Sequence, residues 1–207
     1  MKNPIIPRRF PRLLWPLVFL CIALLLGFAY FQIRHAQTSV RNSLDHYGAT
    51  PEFRLTNQDG KQTSLENFKG NIWVVNFIFT RCQGPCPILT AHMAQLGDAL
   101  KRDKDVKLAS VTVDPEYDTP EILKEYAKKF QADTHQWTFL TGSKENIEAF
   151  MVKCMLQSDI RNPSASLIHS TQLVVVDRHG QIRAFCDGTD PHVVAELLTD
   201  IRSLKRE

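Results

Sequence analysis

With 207 residues the chain has room for one medium domain and a tail, and a core of that size needs no cross-links. The formal net charge is only +3, and the basic residues are scattered or gathered at the N-terminus, so no nucleic-acid footprint and no nucleic-acid partner is expected. No internal repeat or low-complexity stretch competes with a one-domain reading.

Residues 1–12 carry Lys2, Arg8, Arg9 and Arg12, and the apolar run from Leu13 to Phe31 is long enough to cross a ~30 Å hydrocarbon core as a helix. Clustered positive charge stays cytoplasmic, so residues 13–32 read as a retained single-pass anchor in a bacterial inner membrane. Everything after Gln32 is then delivered to the periplasm. A cleaved signal peptide is the competing reading, but the run exceeds the usual apolar h-region and no Ala-x-Ala stands near its end. Cys21, preceded by Phe19 and Leu20 rather than by small residues, reads as an inert membrane cysteine and not as a lipid attachment site. Residues 33–50 are polar, without sustained periodicity and closed by Gly48 and Pro51, so they read as a tether to a domain over residues 51–207.

Within that domain, Glu52 to Thr56 and Lys61 to Ser64 flank Asn57-Gln58-Asp59-Gly60, a turn signal, and predict a small hairpin. Trp73 to Phe79 is a β-branched and aromatic run broken only by Asn76, as for a strand buried on both faces. Pro87 suits the first turn of a following helix, whose Leu89, Met93, Leu96 and Leu100 recur at helical spacing. A strand from Val106 to Val113 and a helix capped by Thr119, with Pro120 in its first turn, come next. Trp137 to Thr141 predicts a strand, and Ile147, Phe150, Met151 and Cys154 the apolar stripe of a helix. Thr171 to Val176 and Gln181 to Cys186 predict a hairpin of strands, and Pro191 to Leu204 a closing helix. Strands alternating with helices imply an α/β layer fold.

Cys82 and Cys86 therefore fall at a strand-to-helix turn. A helix N-terminus favours thiolate over thiol, and Arg81 adds positive charge nearby, so both sulfurs are expected to be reactive. If the turn is already helical, residues four apart have Cβ atoms roughly 5–6 Å from each other, close enough for one soft metal ion. The pair can instead close a Cys82–Cys86 disulfide, which wants Cα atoms about 4.4–6.8 Å apart. Spacing allows either outcome. Pro85 turns Gly84 away from helical geometry, so Cys82 projects at its own angle. Met93 shares the direction of Cys86 but lies about 10 Å further along the helix, which removes it as a ligand, and His92 points elsewhere.

Three ordered motifs carry a resemblance: Phe79-Thr80-Arg81-Cys82-Gln83-Gly84-Pro85-Cys86-Pro87, then Ser110-Val111-Thr112-Val113-Asp114-Pro115-Glu116-Tyr117-Asp118-Thr119-Pro120, then His169-Ser170-Thr171 before a strand. From about Phe53 to the C-terminal helix the chain resembles the Sco/SenC family, copper-binding, thioredoxin-like proteins that help assemble the copper centre of cytochrome c oxidase. The resemblance implies a thioredoxin-like fold, a central mixed sheet flanked by helices, and a loop that brings His169 over the cysteine turn as third ligand. Two thiolates and an imidazole suit Cu(I), and imidazole also ligates Cu(II). Asp114 and Arg81 are the candidates for orienting the site, with Asp114 ahead of Asp118; simple turn and helix capping is an equal reading for both acids.

Two functions follow. In the first, a membrane-anchored metallochaperone passes copper to the copper-site subunit of cytochrome c oxidase or to another copper carrier. In the second, a membrane-anchored thiol-disulfide oxidoreductase attacks a partner disulfide with one of the two sulfurs and resolves with the other. Cys-x-x-x-Cys in place of Cys-x-x-Cys weakens the second. Cys154 and Cys186 read as buried small hydrophobes, with a disulfide between them as the alternative in an oxidising compartment. His35, His46, His135, His179 and His192 read as solvated loop or tether residues.

Overall fold

After β1 (Gly48–Ala49), which falls in the stretch read as a tether, strands and helices follow one another in the predicted order: β2 (Arg54–Asn57), β3 (Gln62–Ser64), β4 (Ile72–Ile78), α1 (Cys86–Leu100), β5 (Val106–Thr112), α2 (Pro120–Lys129), β6 (Trp137–Thr141), α3 (Lys144–Met155), β7 (Gln172–Val176), β8 (Gln181–Asp187) and α4 (Val193–Leu204). This computed structural model describes residues 44–155 and 171–207, which belong to a unit spanning Ser43–Glu207. In the other unit, Met1–Asn42, it describes Ile22, Leu24, Leu25, Gly27 and Phe28, all helical. Most of the expected membrane span, Leu13 to Phe31, lies outside the described residues, and no helix among those described is long and apolar enough to cross a membrane.

The sheet runs β1-β8-β7-β4-β5-β6-β2-β3, with β4, β5 and β6 parallel and every other neighbouring pair antiparallel. Its centre is β4, buried at all seven positions, because helices cover both faces of the sheet. Met93 and Leu96 of α1, Leu123 and Tyr126 of α2, and Leu197 and Ile201 of α4 share one core cluster. Ile147, Phe150 and Met151 of α3 pack on the opposite face with Phe53, Phe68 and Trp73. Asn76, the polar break in the β4 run, accepts a hydrogen bond from Ser110 Oγ at 2.7 Å, and Ser110 Oγ accepts one from Trp137 Nε1 at 3.0 Å. The neighbouring parallel strand thus satisfies the buried Asn76 oxygen, while Asn76 Nδ2 is buried without a hydrogen-bond partner among the described residues.

The hairpin β2–β3 turns through Gly60, whose φ of +75° explains a glycine at that position. Part of the stretch read as tether is instead folded. Leu44 is 2% exposed, Tyr47 N–H donates to Ile182 O at 3.0 Å, and β1 pairs with β8 and forms one edge of the sheet. Arg183, itself 3% exposed, donates to the carbonyls of Leu44 and Asp45 and pairs with Asp177 and Glu207. The cysteines outside the turn are sorted by the sheet: Cys154 packs in one core cluster and Cys186 in the other. Neither is in a disulfide, and the intervening sheet removes the alternative of one between them.

Candidate metal centre

Strand β4 and helix α1 bring the cysteine turn to the C-terminal edge of the parallel strands, where α/β sheets expose their loops. Chain direction reverses in a short turn in which Cys82 N–H donates to Phe79 O at 3.2 Å. Pro85 adopts φ −73° and ψ −26° and stands just before the helix, so Cys86 is the first residue of α1 and Pro87 falls in its first turn. The four-residue step between the cysteines is therefore a loop and not a turn of helix. It carries Cys82 at the half-buried rim and leaves Cys86 6% exposed, packed in the core.

That difference splits the two thiols chemically. Burial is the largest influence on Cys86 and pushes it up to about 12, against which the helix N-terminus and the Phe79 amide do little. At Cys82 burial also acts upward, but the Cys86 thiol and the N–H groups of Cys86 and Gly84 outweigh it and hold Cys82 below the ordinary thiol value; Gly84 N lies 3.4 Å from its sulfur. The expectation that both sulfurs are reactive thus holds for Cys82, a poised thiol at the rim, and not for Cys86, a protonated thiol beneath it. As a pair of adjacent soft donors they still fit a soft cation, which would displace both thiol protons.

The Arg81 guanidinium does not face the sulfurs. It pairs with Asp114, Nε at 3.0 Å and Nη2 at 2.5 Å, and lies 4.3 Å from the ring centre of Tyr117. Asp114 thereby braces the turn from the surface, while Asp118 holds it from within. Fully buried, Asp118 accepts hydrogen bonds from Thr80 N at 3.0 Å, from Thr80 Oγ1 and from Thr112 Oγ1. The residue two positions before Cys82 is thus fixed to the loop after β5. Sequence reading ranked Asp114 above Asp118; the sequence signal for Asp118 is its place one residue before the Thr119 cap.

Behind Cys86, Thr90 Oγ1 donates to its carbonyl at 2.8 Å and accepts from Tyr126 OH at 2.9 Å. Burial pushes the Tyr126 phenol up to about 12, so it remains a donor. Helix α1 meets the far side of the sheet at Gly188. His92 Nδ1 donates to Gly188 O at 2.8 Å, and Gly188 N–H donates to Thr171 O at 2.8 Å. A Cβ on Gly188 would stand 2.6 Å from Thr171 O and 3.0 Å from Leu89 Cγ, so only glycine lets the chain before β7 come this close to the first turn of α1. His169 itself lies outside the described residues.

The SCO1/SenC family profile matches residues 42–205. A SCO1 protein homolog of Bacillus subtilis is 36% identical over 155 residues, 73% of this chain and 80% of the relative. The solved structure of BsSco, described as a member of the Sco family of cytochrome c oxidase assembly proteins with a disulfide switch, superposes with a TM-score of 0.67 at 33% identity, covering 78% of this chain and 97% of the other. The copper-bound ScoI of Bradyrhizobium japonicum has the same fold, with a TM-score of 0.59 at 22% identity over 76% of this chain and 98% of its own. The mixed sheet and the helices on its two faces agree with these likenesses, and the chain belongs to the SCO1/SenC family.

Proposed function

We propose that this protein is a copper metallochaperone in which Cys82, Cys86 and His169 hold the ion as cargo, and that it hands copper to the copper site of cytochrome c oxidase or to another copper carrier. The observation that carries the reading is the meeting of α1 with the chain before β7: Thr171 O is fastened to Gly188, and Gly188 packs on Leu89, one turn from Cys86. His169 stands two positions before Thr171 in sequence, a reach of about 7 Å. A rim thiol above a buried thiol supports transfer, because an incoming cysteine meets Cys82 first and exchanges ligands one at a time. The basic N-terminus followed by the apolar run supports residues 13–32 as an anchor in a bacterial inner membrane, with the domain on the periplasmic side.

A second reading, thiol-disulfide exchange, is favoured by the same asymmetry: Cys82 would attack a partner disulfide and Cys86 would resolve the mixed disulfide, leaving Cys82–Cys86 oxidised and the partner reduced. The test is to mix copper-loaded protein with the purified copper-binding domain of an oxidase subunit, and separately to offer excess disulfide substrate with a thiol reductant. Delivery predicts stoichiometric copper transfer and no sustained disulfide turnover. Many turnovers, unaffected by His169→Ala, would replace this reading with the oxidoreductase.

A further inference from the structure

Helix α1 begins without the usual fixings: Pro85 precedes it with no side-chain cap, its first turn holds no acid, and Pro87 has no N–H to give. Cys86 is its first residue, so the buried thiol hangs on a helix end that the local sequence holds weakly. The fixing comes from α2. Thr90 spends its hydroxyl proton on the Cys86 carbonyl at 2.8 Å and therefore accepts the proton of Tyr126 OH at 2.9 Å, a directed chain from Tyr126 through Thr90 to Cys86. Thr90 is fully buried and Tyr126 is 8% exposed. Phe130 and Phe139 flank the phenol ring, with centroids 4.9 and 6.2 Å away, so its hydroxyl is held toward Thr90. A separate route leads from the same helix to the other cysteine. Asp118, one residue before the Thr119 cap of α2, accepts from Thr80 N–H and Thr80 Oγ1, two positions before Cys82.

We propose that α2 is the splint that sets the separation of the two sulfurs, with Tyr126 the positioning residue for Cys86, acting through Thr90. The proposal rests on the reading of Cys82 and Cys86 as the working pair. The residues between them cannot set the spacing, because Gln83, Gly84 and Pro85 form a loop ahead of the helix. One rigid helix reaching both flanks of that loop preorganises the pair: the thiols close on a single soft ion, or on each other, without first ordering the turn. A threonine bonded to the carbonyl four residues back and a tyrosine satisfied in a core are ordinary packing features, and as such they would affect stability alone. The difference here lies in where the bonds end. One chain stops at the first carbonyl of α1, that of the cysteine itself, and the second stops two positions from the other cysteine.

The test compares the full chain with Tyr126→Phe and Thr90→Val, which keep the shape of each side chain and remove its hydroxyl, and with Thr90→Ser, which retains it. Each protein is equilibrated with glutathione and mapped for the Cys82–Cys86 disulfide, and each is titrated with Cu(I) against a chelator without oxygen. In the exchange, one glutathione disulfide takes two electrons and the two thiol protons and leaves as two glutathione thiols while the Cys82–Cys86 bond forms. Tyr126→Phe and Thr90→Val should move this equilibrium several-fold toward the dithiol and weaken Cu(I) binding about tenfold. Thr90→Ser should keep the values of the unaltered chain, and the double variant should match Thr90→Val alone, because both hydroxyls belong to one chain of bonds. A glutathione equilibrium unmoved by Tyr126→Phe and Thr90→Val, whatever their Tm, overturns the proposal, as does a double variant whose losses add. Absence of copper binding by the unaltered chain would count against the metallochaperone and leave the glutathione equilibrium to decide on the splint.

Discussion

Cys82 and Cys86 stand four residues apart in sequence but in two different media, the rim of a turn and the top of a core. With burial raising Cys86 to about 12 and hydrogen bonds holding Cys82 below the usual thiol value, thiolate accumulates at Cys82 first as pH rises. A brief alkylation of the reduced protein near neutral pH, followed by peptide mapping, should find Cys82 modified and Cys86 intact; equal labelling would contradict the assignment. Asp118 acts on the same turn through Thr80. In Asp118→Asn one carboxylate oxygen becomes a donor facing other donors, which should cost about 1–3 kcal/mol of stability in a denaturant titration and loosen copper at Cys82. A variant with unchanged stability and unchanged copper affinity would remove Asp118 as the brace. The cysteines were legible in the sequence because proline and cysteine spacing mark a strand-to-helix turn. The weight of Asp118 was not, since its partner Thr80 is 38 residues away and nothing local announces the contact.

At the scale of elements, β4 ends and β7 begins at the same edge of the sheet because the two strands pair antiparallel, Trp73 with Val176 and Val75 with Val174. Gly188 closes the gap between that edge and α1. Gly188→Ala should push the chain before β7 away from Leu89 and weaken copper binding more than it lowers Tm; a variant that binds copper as before would show that this approach does not govern the site. The long elements were readable from apolar periodicity, and β6 and the stripe of α3 fall where the sequence puts them. The segment from Leu44 to Ala49 was not. It joins the fold through main-chain bonds to β8 and through carbonyls bound by Arg183, and neither leaves a periodic signature.

Taken as one molecule, Ser43–Glu207 fastens its own first residues: Arg183 reaches Leu44 O, Asp45 O, Asp177 and the C-terminal residue Glu207 from a single buried position. The rigid frame this gives carries the two thiols of the β4–α1 turn, to which the proposed function adds His169. The assembly is tested most directly by titrating Cu(I), against a competing chelator and without oxygen, into the reduced full chain and into Cys82→Ser, Cys86→Ser and His169→Ala. One tightly held copper per chain, weakened in all three variants, is the predicted result. Copper binding unchanged by His169→Ala would remove the imidazole from the ligand set, and absence of specific binding with both thiols intact would contradict the metallochaperone account.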